Sequence, residues 1–293
     1  MHIGLFQKLA SALAALTMLA CLALACGRSS PGSATSARAP GPDVASPLEL
    51  LASKKGFEIL DLTHPLSTDS LYWPTGTAFE HRRLDWGVAP GGYWYASAEF
   101  KSPEHLGTHL DAPLHFAEHG WPAADIPSDR FLAPGIVVDI GPKAAAATDA
   151  VLQPDDLTAW ERTHGRVPAG AIVIVRTGWA ARWSSWNDYY GSPTPHDVAT
   201  LHFPGVSREG AEQLVERSVA GVGIDTASID PGSSRSFEAH RELSAANIFN
   251  LENLTNVDAL PETGFVVIAL PMKIADGTGG PAHVIALVPS PAR

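Results

Sequence analysis

The chain has 293 residues, of which 45% are apolar and 17% charged; that is enough apolar material for a sizeable core and excludes a disordered chain. Twenty Lys and Arg against 31 Asp and Glu leave a formal charge of −11, so there is no basic surplus to displace counterions from nucleic-acid phosphates. Two cysteines exclude a disulfide framework and a cysteine-rich zinc finger, while twelve histidines point to imidazole as the source of any chemistry.

Residues 1–25 read as a secretory signal peptide. Lys8 is the only charge before Cys26, the run 9–25 (LASALAALTMLACLALA) is apolar, and Ala23-Leu24-Ala25 fits a small-x-small cleavage site. The run is also about the length of a marginal membrane span, which is the rival reading. Small residues directly before Cys26 resemble a bacterial lipobox, with Ala23 standing where that pattern prefers Leu. Lipidation of Cys26 would place the protein in the bacterial cell envelope or periplasm; simple secretion with an unpaired Cys26 is the alternative. Residues 26–47 are rich in Ser, Ala, Gly and Pro and lack apolar periodicity, as expected of a flexible tether.

The folded domain, 48–293, reads as α/β. Residues 57–62 (FEILDL) alternate, and 93–100 (YWYASAEF) are aromatic and β-prone. The short Val/Ile-rich runs 136–140, 171–175, 219–224, 265–270 and 283–288 predict buried strands. Between them, 154–163 and 207–218 predict amphipathic helices, the second with Ser207 as N-cap. Residues 240–251 predict a helix over all or part of their length. Residues 178–206, rich in aromatics and turn formers, are either an active-site rim or a surface loop anchored by its rings. The glycines at 276–280 (DGTGG) lack a phosphate-loop context and read as a turn.

The chemistry concentrates in 102–117 (SPEHLGTHLDAPLHFA), where His105, His109, Asp111 and His115 fall within eleven residues. Imidazole and carboxylate hold Zn²⁺ or Mn²⁺ where no thiolate is at hand. In an extended segment His109 and Asp111 point the same way. Gly107 permits a turn that brings His105 to the same centre, and Pro113 stops a helix. Four such groups this close demand a cation or a hydrogen-bond network to satisfy them. No GxSxG elbow, no HExxH and no cysteine of the folded domain offers a different hydrolytic apparatus.

The run HLGTHLDAPLHF resembles the signature His-x-Gly-Thr-His-x-Asp-x-Pro-x-His-Phe of the metal-dependent cyclase and kynurenine formamidase (arylformamidase) family, which includes isatin hydrolases. The resemblance continues in order through 115–140, 175–183, 201–205, 221–232 and 239–254. It implies a single cyclase-like domain of the swivelling β/β/α type, with a mixed sheet and flanking helices. It implies His105, His109 and Asp111 as metal ligands, completed by His240 and Glu252, with His115 as general acid/base. Trp73, before Pro74, matches a residue that lines the substrate site; Phe116 and His202 are further candidates for substrate contact, and Asp225 and Asp230 either orient ligands or hold turns. The longer 178–206 region looks closer to the larger isatin-hydrolase-like members and leaves open whether one ion binds or two.

The implied activity is hydrolysis of an amide-type C–N bond in a small aryl substrate, such as N-formylkynurenine or isatin, by metal-activated water. Lactone or lactam hydrolysis is the second reading, and a non-catalytic metal-binding lipoprotein of the same fold the third. The resemblance also implies a homodimer or homotetramer.

Overall fold

A computed structural model of the chain describes Ser53, residues 56–194 and residues 196–290. The expected signal peptide, Cys26 and the tether lie outside these residues. In chain order the elements are β1 (Phe57–Asp61), β2 (Glu80–Val88), β3 (Trp94–Lys101), β4 (His109–Asp111), β5 (Leu132–Asp139), α1 (Gly141–Ala146), β6 (Val151–Leu152), α2 (Pro154–His164), β7 (Ile172–Arg176), α3 (Trp186–Tyr190), β8 (Gly205–Val206), α4 (Arg208–Glu216), β9 (Gly221–Ile224), α5 (Glu238–Ala245), β10 (Phe249–Glu252), β11 (Phe265–Pro271) and β12 (Gly279–Pro289).

The main sheet has eight strands in the order β1-β12-β11-β5-β7-β9-β10-β4. Strands β5, β7, β9 and β10 run parallel, and β11, β12, β1 and β4 are added antiparallel. Because β4 pairs with β12 as well as β10, every strand but β1 belongs to a closed ring. The expected mixed sheet with flanking helices is therefore present.

Alternation along the parallel strands builds two cores. Val137, Ile172 and Ile174 face the cluster inside the ring, with Phe249, Leu251 and Phe265. Ile136, Val138, Val173, Val175, Val222 and Ile224 face the helices, meeting Leu157 and Trp160 of α2, Ala211 and Leu214 of α4, and Leu243 of α5. In β9 the inward positions are glycines because the space is already taken. A Cβ on Gly221 would lie 2.2 Å from the Phe249 ring, and one on Gly223 2.8 Å from Leu254.

Most strand and helix expectations lie within a few residues of the observed bounds, and Ser207 caps α4 by accepting from the Gly210 N–H at 3.0 Å. Residues 240–251 divide: α5 ends at Ala245, and the chain then enters the sheet as β10. Strand β2 was not legible, because EHRRLDWGV opens on four consecutive polar or charged residues with no period-2 pattern, over a surface that stays largely exposed. The aromatics of 178–206 are largely core: Trp179, Tyr189, Tyr190 and Phe203 are buried together with Leu71 and Leu201 in a third cluster.

Candidate metal centre and cavity

The register of β4 places the first donors. Leu110 points into the ring core, so its neighbours His109 and Asp111 point to the helix side. His109 pairs across the ladder with Glu252 of β10, which sets both side chains on that same face, 3.5 Å apart between Nε2 and Oε2. His105 comes from the preceding turn, where Gly107 takes φ +61°; a Cβ there would also meet Leu66 at 2.6 Å. His240 is carried in from α5. Its Nε2 lies 3.1 Å from Asp111 Oδ2 and 3.2 Å from Glu252 Oε1.

The two oxygens of Asp111 face different partners. Oδ1 lies 2.6 Å from His105 Nδ1 and 3.1 Å from His109 Nε2, while Oδ2 faces His240. The donors thus form two triads sharing Asp111: His105, His109 and Asp111, and Asp111, His240 and Glu252, each with its donor atoms within 4.8 Å of one another. Glu252 likewise turns one oxygen to His109 and the other to His240.

The surrounding groups orient these side chains as a cation requires. His109 Nδ1 donates to the Gly107 carbonyl at 2.9 Å, which leaves Nε2 as the lone-pair atom. That Nε2 is buried and has no hydrogen-bond partner. A buried orphan of this kind, aimed at two carboxylates, fits a divalent cation. His240 Nδ1 is 2.7 Å from Asp230, whose carboxylate also accepts the Ala239 and His240 N–H groups at the start of α5. Asp230 therefore orients a donor, whereas Asp225 accepts from Thr177 and Trp179 and holds a turn. Glu252 Oε1 accepts the Ile229 N–H at 2.7 Å. His105 Nε2 meets Thr278 Oγ1 at 2.9 Å, and Thr278 donates to Glu104 at 2.6 Å.

Electrostatics agree with a cation site. Burial disfavours a charged His109, but Asp111 and then Glu252 overcome it and raise the imidazole to about 9. Burial also opposes charge on Asp111, yet His105 and His109 hold its carboxyl well below the usual range. Burial, then the charge of Asp111, raises Glu252. Protons and a cation therefore compete for the same carboxylates and imidazoles.

His115 sits in a one-turn 3-10 segment, Pro113–His115, and stacks on His105 with ring centroids 4.0 Å apart. Burial lowers its imidazole to about 4, Asp111 opposing only in part, so the ring is neutral at physiological pH.

The donors form one side of a cavity of ≈ 700 Å³, counting its open mouth. Its other side is aromatic: Trp73, Phe116, Phe237, Tyr72 and Tyr190. Phe237 lies 5.3 Å from Phe116 and 6.5 Å from Trp73, and Tyr190 Oη donates to the Tyr72 carbonyl at 2.6 Å. Trp73 and Phe116 thus line this cavity. His202 does not: it is exposed, contacts Asp149 at 2.7 Å and is absent from the cavity lining, because the 178–206 segment turns inward at Tyr190 instead. Tyr72, Tyr190, Ser228, Phe237 and Asn253 line the cavity without having been singled out in the sequence. Of these, Phe237 follows no motif and occupies the left-handed region at φ +50°. The DGTGG turn also belongs to the site, since a Cβ on Gly279 would lie 2.8 Å from the His105 ring.

Residues 60–231 match the Cyclase family model. An isatin hydrolase from Roseibium aggregatum is 36% identical over 195 residues, covering 64% of this chain and 72% of that protein. A kynurenine formamidase from Bordetella petrii is 29% identical over 228 residues, covering 77% and 95%. Among solved structures, isatin hydrolase A from Ralstonia solanacearum superposes with a TM-score of 0.75 at 32% identity, covering 85% of this chain and all of that one.

Proposed function

The chain belongs to the Cyclase family, and from that premise we propose that it is a metal-dependent hydrolase cleaving an amide-type C–N bond of a small aryl substrate, of the N-formylkynurenine or isatin kind. One observation carries this reading: two donor triads share Asp111 at one side of an aromatic cavity, with neutral His115 stacked beside them. The names of the relatives, isatin hydrolase and kynurenine formamidase, support the bond class.

His105, His109, Asp111, His240 and Glu252 would hold the cation, Zn²⁺ or Mn²⁺, as one ion or two. When bound, the cation supplies an acidified water and a Lewis acid for the substrate carbonyl. The protein supplies the rest. Trp73, Phe116 and Phe237 grip a flat ring and exclude water from its faces. His115, as the free base, takes a proton from the attacking water and gives it to the departing nitrogen as the C–N bond breaks, since that nitrogen is a poor leaving group as an anion.

The leader belongs to the same reading: export directed by residues 1–25, lipidation of Cys26 and a 26–47 tether would hold the enzyme in the bacterial cell envelope. Assembly is as a homodimer or homotetramer.

An ultraviolet assay with N-formylkynurenine, isatin and simple lactones in parallel, combined with metal analysis, tests the proposal. Turnover of an amide substrate is the expected result. Turnover of lactones alone replaces the substrate class. Metal bound with turnover of none makes the chain a non-catalytic binding lipoprotein.

A further inference from the structure

The three histidines at the centre are not oriented alike. His109 Nδ1 donates to the Gly107 carbonyl at 2.9 Å, and His240 Nδ1 meets the Asp230 carboxylate at 2.7 Å, so each turns Nε2 to Asp111 and Glu252. His105 is reversed. Its Nδ1 lies 2.6 Å from Asp111 Oδ1, and its Nε2 points away from the centre, to Thr278 Oγ1 at 2.9 Å.

The hydrogen-bond roles along this path are fixed from its far end. An ionised carboxylate only accepts. Glu104 Oε2 accepts the Thr278 N–H at 2.8 Å and the Thr278 O–H at 2.6 Å. A hydroxyl has one proton, and the bond to Glu104 uses it, so towards His105 the Thr278 Oγ1 acts as an acceptor. Nε2 must then carry the imidazole proton, and Nδ1 keeps its lone pair. Two lone pairs facing each other at 2.6 Å, on Nδ1 and on Asp111 Oδ1, repel unless positive charge lies between them.

We propose that Glu104 and Thr278 are positioning residues for the metal centre: through the Thr278 hydroxyl, the Glu104 carboxylate holds His105 in the Nε2–H tautomer and makes Nδ1 its ligating atom. This role rests on the cation site proposed above.

The fold brings the path together from two distant segments. Glu104 precedes His105 directly, whereas Thr278 belongs to the DGTGG turn, for which the sequence showed no purpose beyond the turn itself. That turn is tied to β4: the Ala112 N–H donates to the Thr278 carbonyl at 2.8 Å, and Gly279 pairs with Asp111. Thr278 is thus set one residue from the partner of the shared carboxylate. The missing side chain of Gly279 lets the turn lie against the imidazole, whose Cε1 a Cβ would approach to 2.8 Å. Partners of this kind on a metal-binding histidine are typically worth about 10–100-fold in metal affinity.

Chelator-competition titration of the full chain with Zn²⁺ tests the proposal without any measurement of turnover. Thr278→Val, which removes the hydroxyl, and Glu104→Ala, which frees that hydroxyl to donate to Nε2, should each weaken Zn²⁺ binding by about 10–100-fold. Thr278→Ser, which restores the hydroxyl, should bind as the wild type does. Two-bond ¹H–¹⁵N correlation spectra of the Zn²⁺-loaded wild type should show one histidine ligated through Nδ1 with its proton on Nε2. Circular dichroism checks that the variants fold; should Thr278→Val not fold, Glu104→Ala and the wild-type spectrum decide. A wild type that binds no Zn²⁺ refutes the cation site and this role with it. A wild type that binds, while Thr278→Val or Glu104→Ala binds equally tightly, overturns the role of Glu104 and Thr278 alone. So does a Thr278→Ser variant as weak as Thr278→Val, or a spectrum in which every ligating histidine is bound through Nε2.

Discussion

His115 differs from the five histidine and carboxylate groups beside it in what surrounds it. His105 and His109 each meet an oxygen of Asp111, and His240 is held between Asp230 and Asp111. His115 is given aromatic neighbours instead, His105 at 4.0 Å and Phe116 at 4.4 Å. It keeps its lone pair free for proton traffic. Replacing His115 with Ala should leave the metal content unchanged and lower turnover by roughly a hundredfold or more; a kinetic assay paired with metal analysis checks both halves. Replacing His109 with Ala should instead abolish stoichiometric metal, since its Nε2 is buried beside two carboxylates with no hydrogen-bond partner. A second histidine reports on stability. His64 stacks on Trp183 at 4.0 Å, and burial lowers it to about 4. The unfolded chain takes up this proton near 6.5 and the folded chain only near 4. The neutral ring's contribution to stability is thus complete above pH 6.5 and is lost as the pH falls towards 4. Urea titrations across this window should show a shallower loss of stability for His64→Phe than for the wild type.

At the scale of elements, β4 does the most for the site with the fewest residues. Its three positions pair with β10 on one side and β12 on the other. Neither pairing was legible in the sequence, because a three-residue strand has no period to detect and its partners lie far along the chain. The match of His109 to Glu252 follows from that register alone, and a slip of one residue would turn His109 and Asp111 into the core. The glycines of β9 act in the same way on the other side of β10. Gly221→Ala should cost about 1–3 kcal/mol by overpacking against Phe249. Denaturant melts check this, and Phe249→Leu in the same chain should recover part of the loss.

Over the whole domain, the ring of strands and the helix layer converge on one centre: His109 and Asp111 come from β4, His105 from the turn before it, Glu252 from β10, and His240 from a helix. A cation held there ties the layers together. At a hundred times its Kd such a ligand stabilises by about 2.7 kcal/mol, and a domain of this size shifts by roughly 2–4 °C per kcal/mol. Chelation should therefore lower Tm by roughly 5–10 °C, with recovery on adding back Zn²⁺ or Mn²⁺; a Tm indifferent to chelator in metal-loaded protein would contradict a cation at this position.

The amino-acid sequence by itself determined the α/β class, most strands of the main sheet, the helix capped by Ser207 and the donor cluster at 105–115. These rest on local causes: short Val/Ile runs, capping chemistry, and histidines and an aspartate too close together to be left unsatisfied. Only the tertiary structure decided that Asp111 faces two triads, that Asp230 rather than Asp225 orients His240, that Phe237 and Tyr190 complete the aromatic wall while His202 stays outside, and that the turn at 276–280 brings Thr278 to His105. Each of these depends on strand register or on packing between segments distant in the chain. Side-chain direction there is set by the partner across the ladder or the space left by a neighbouring ring, and neither is written in the local residue pattern.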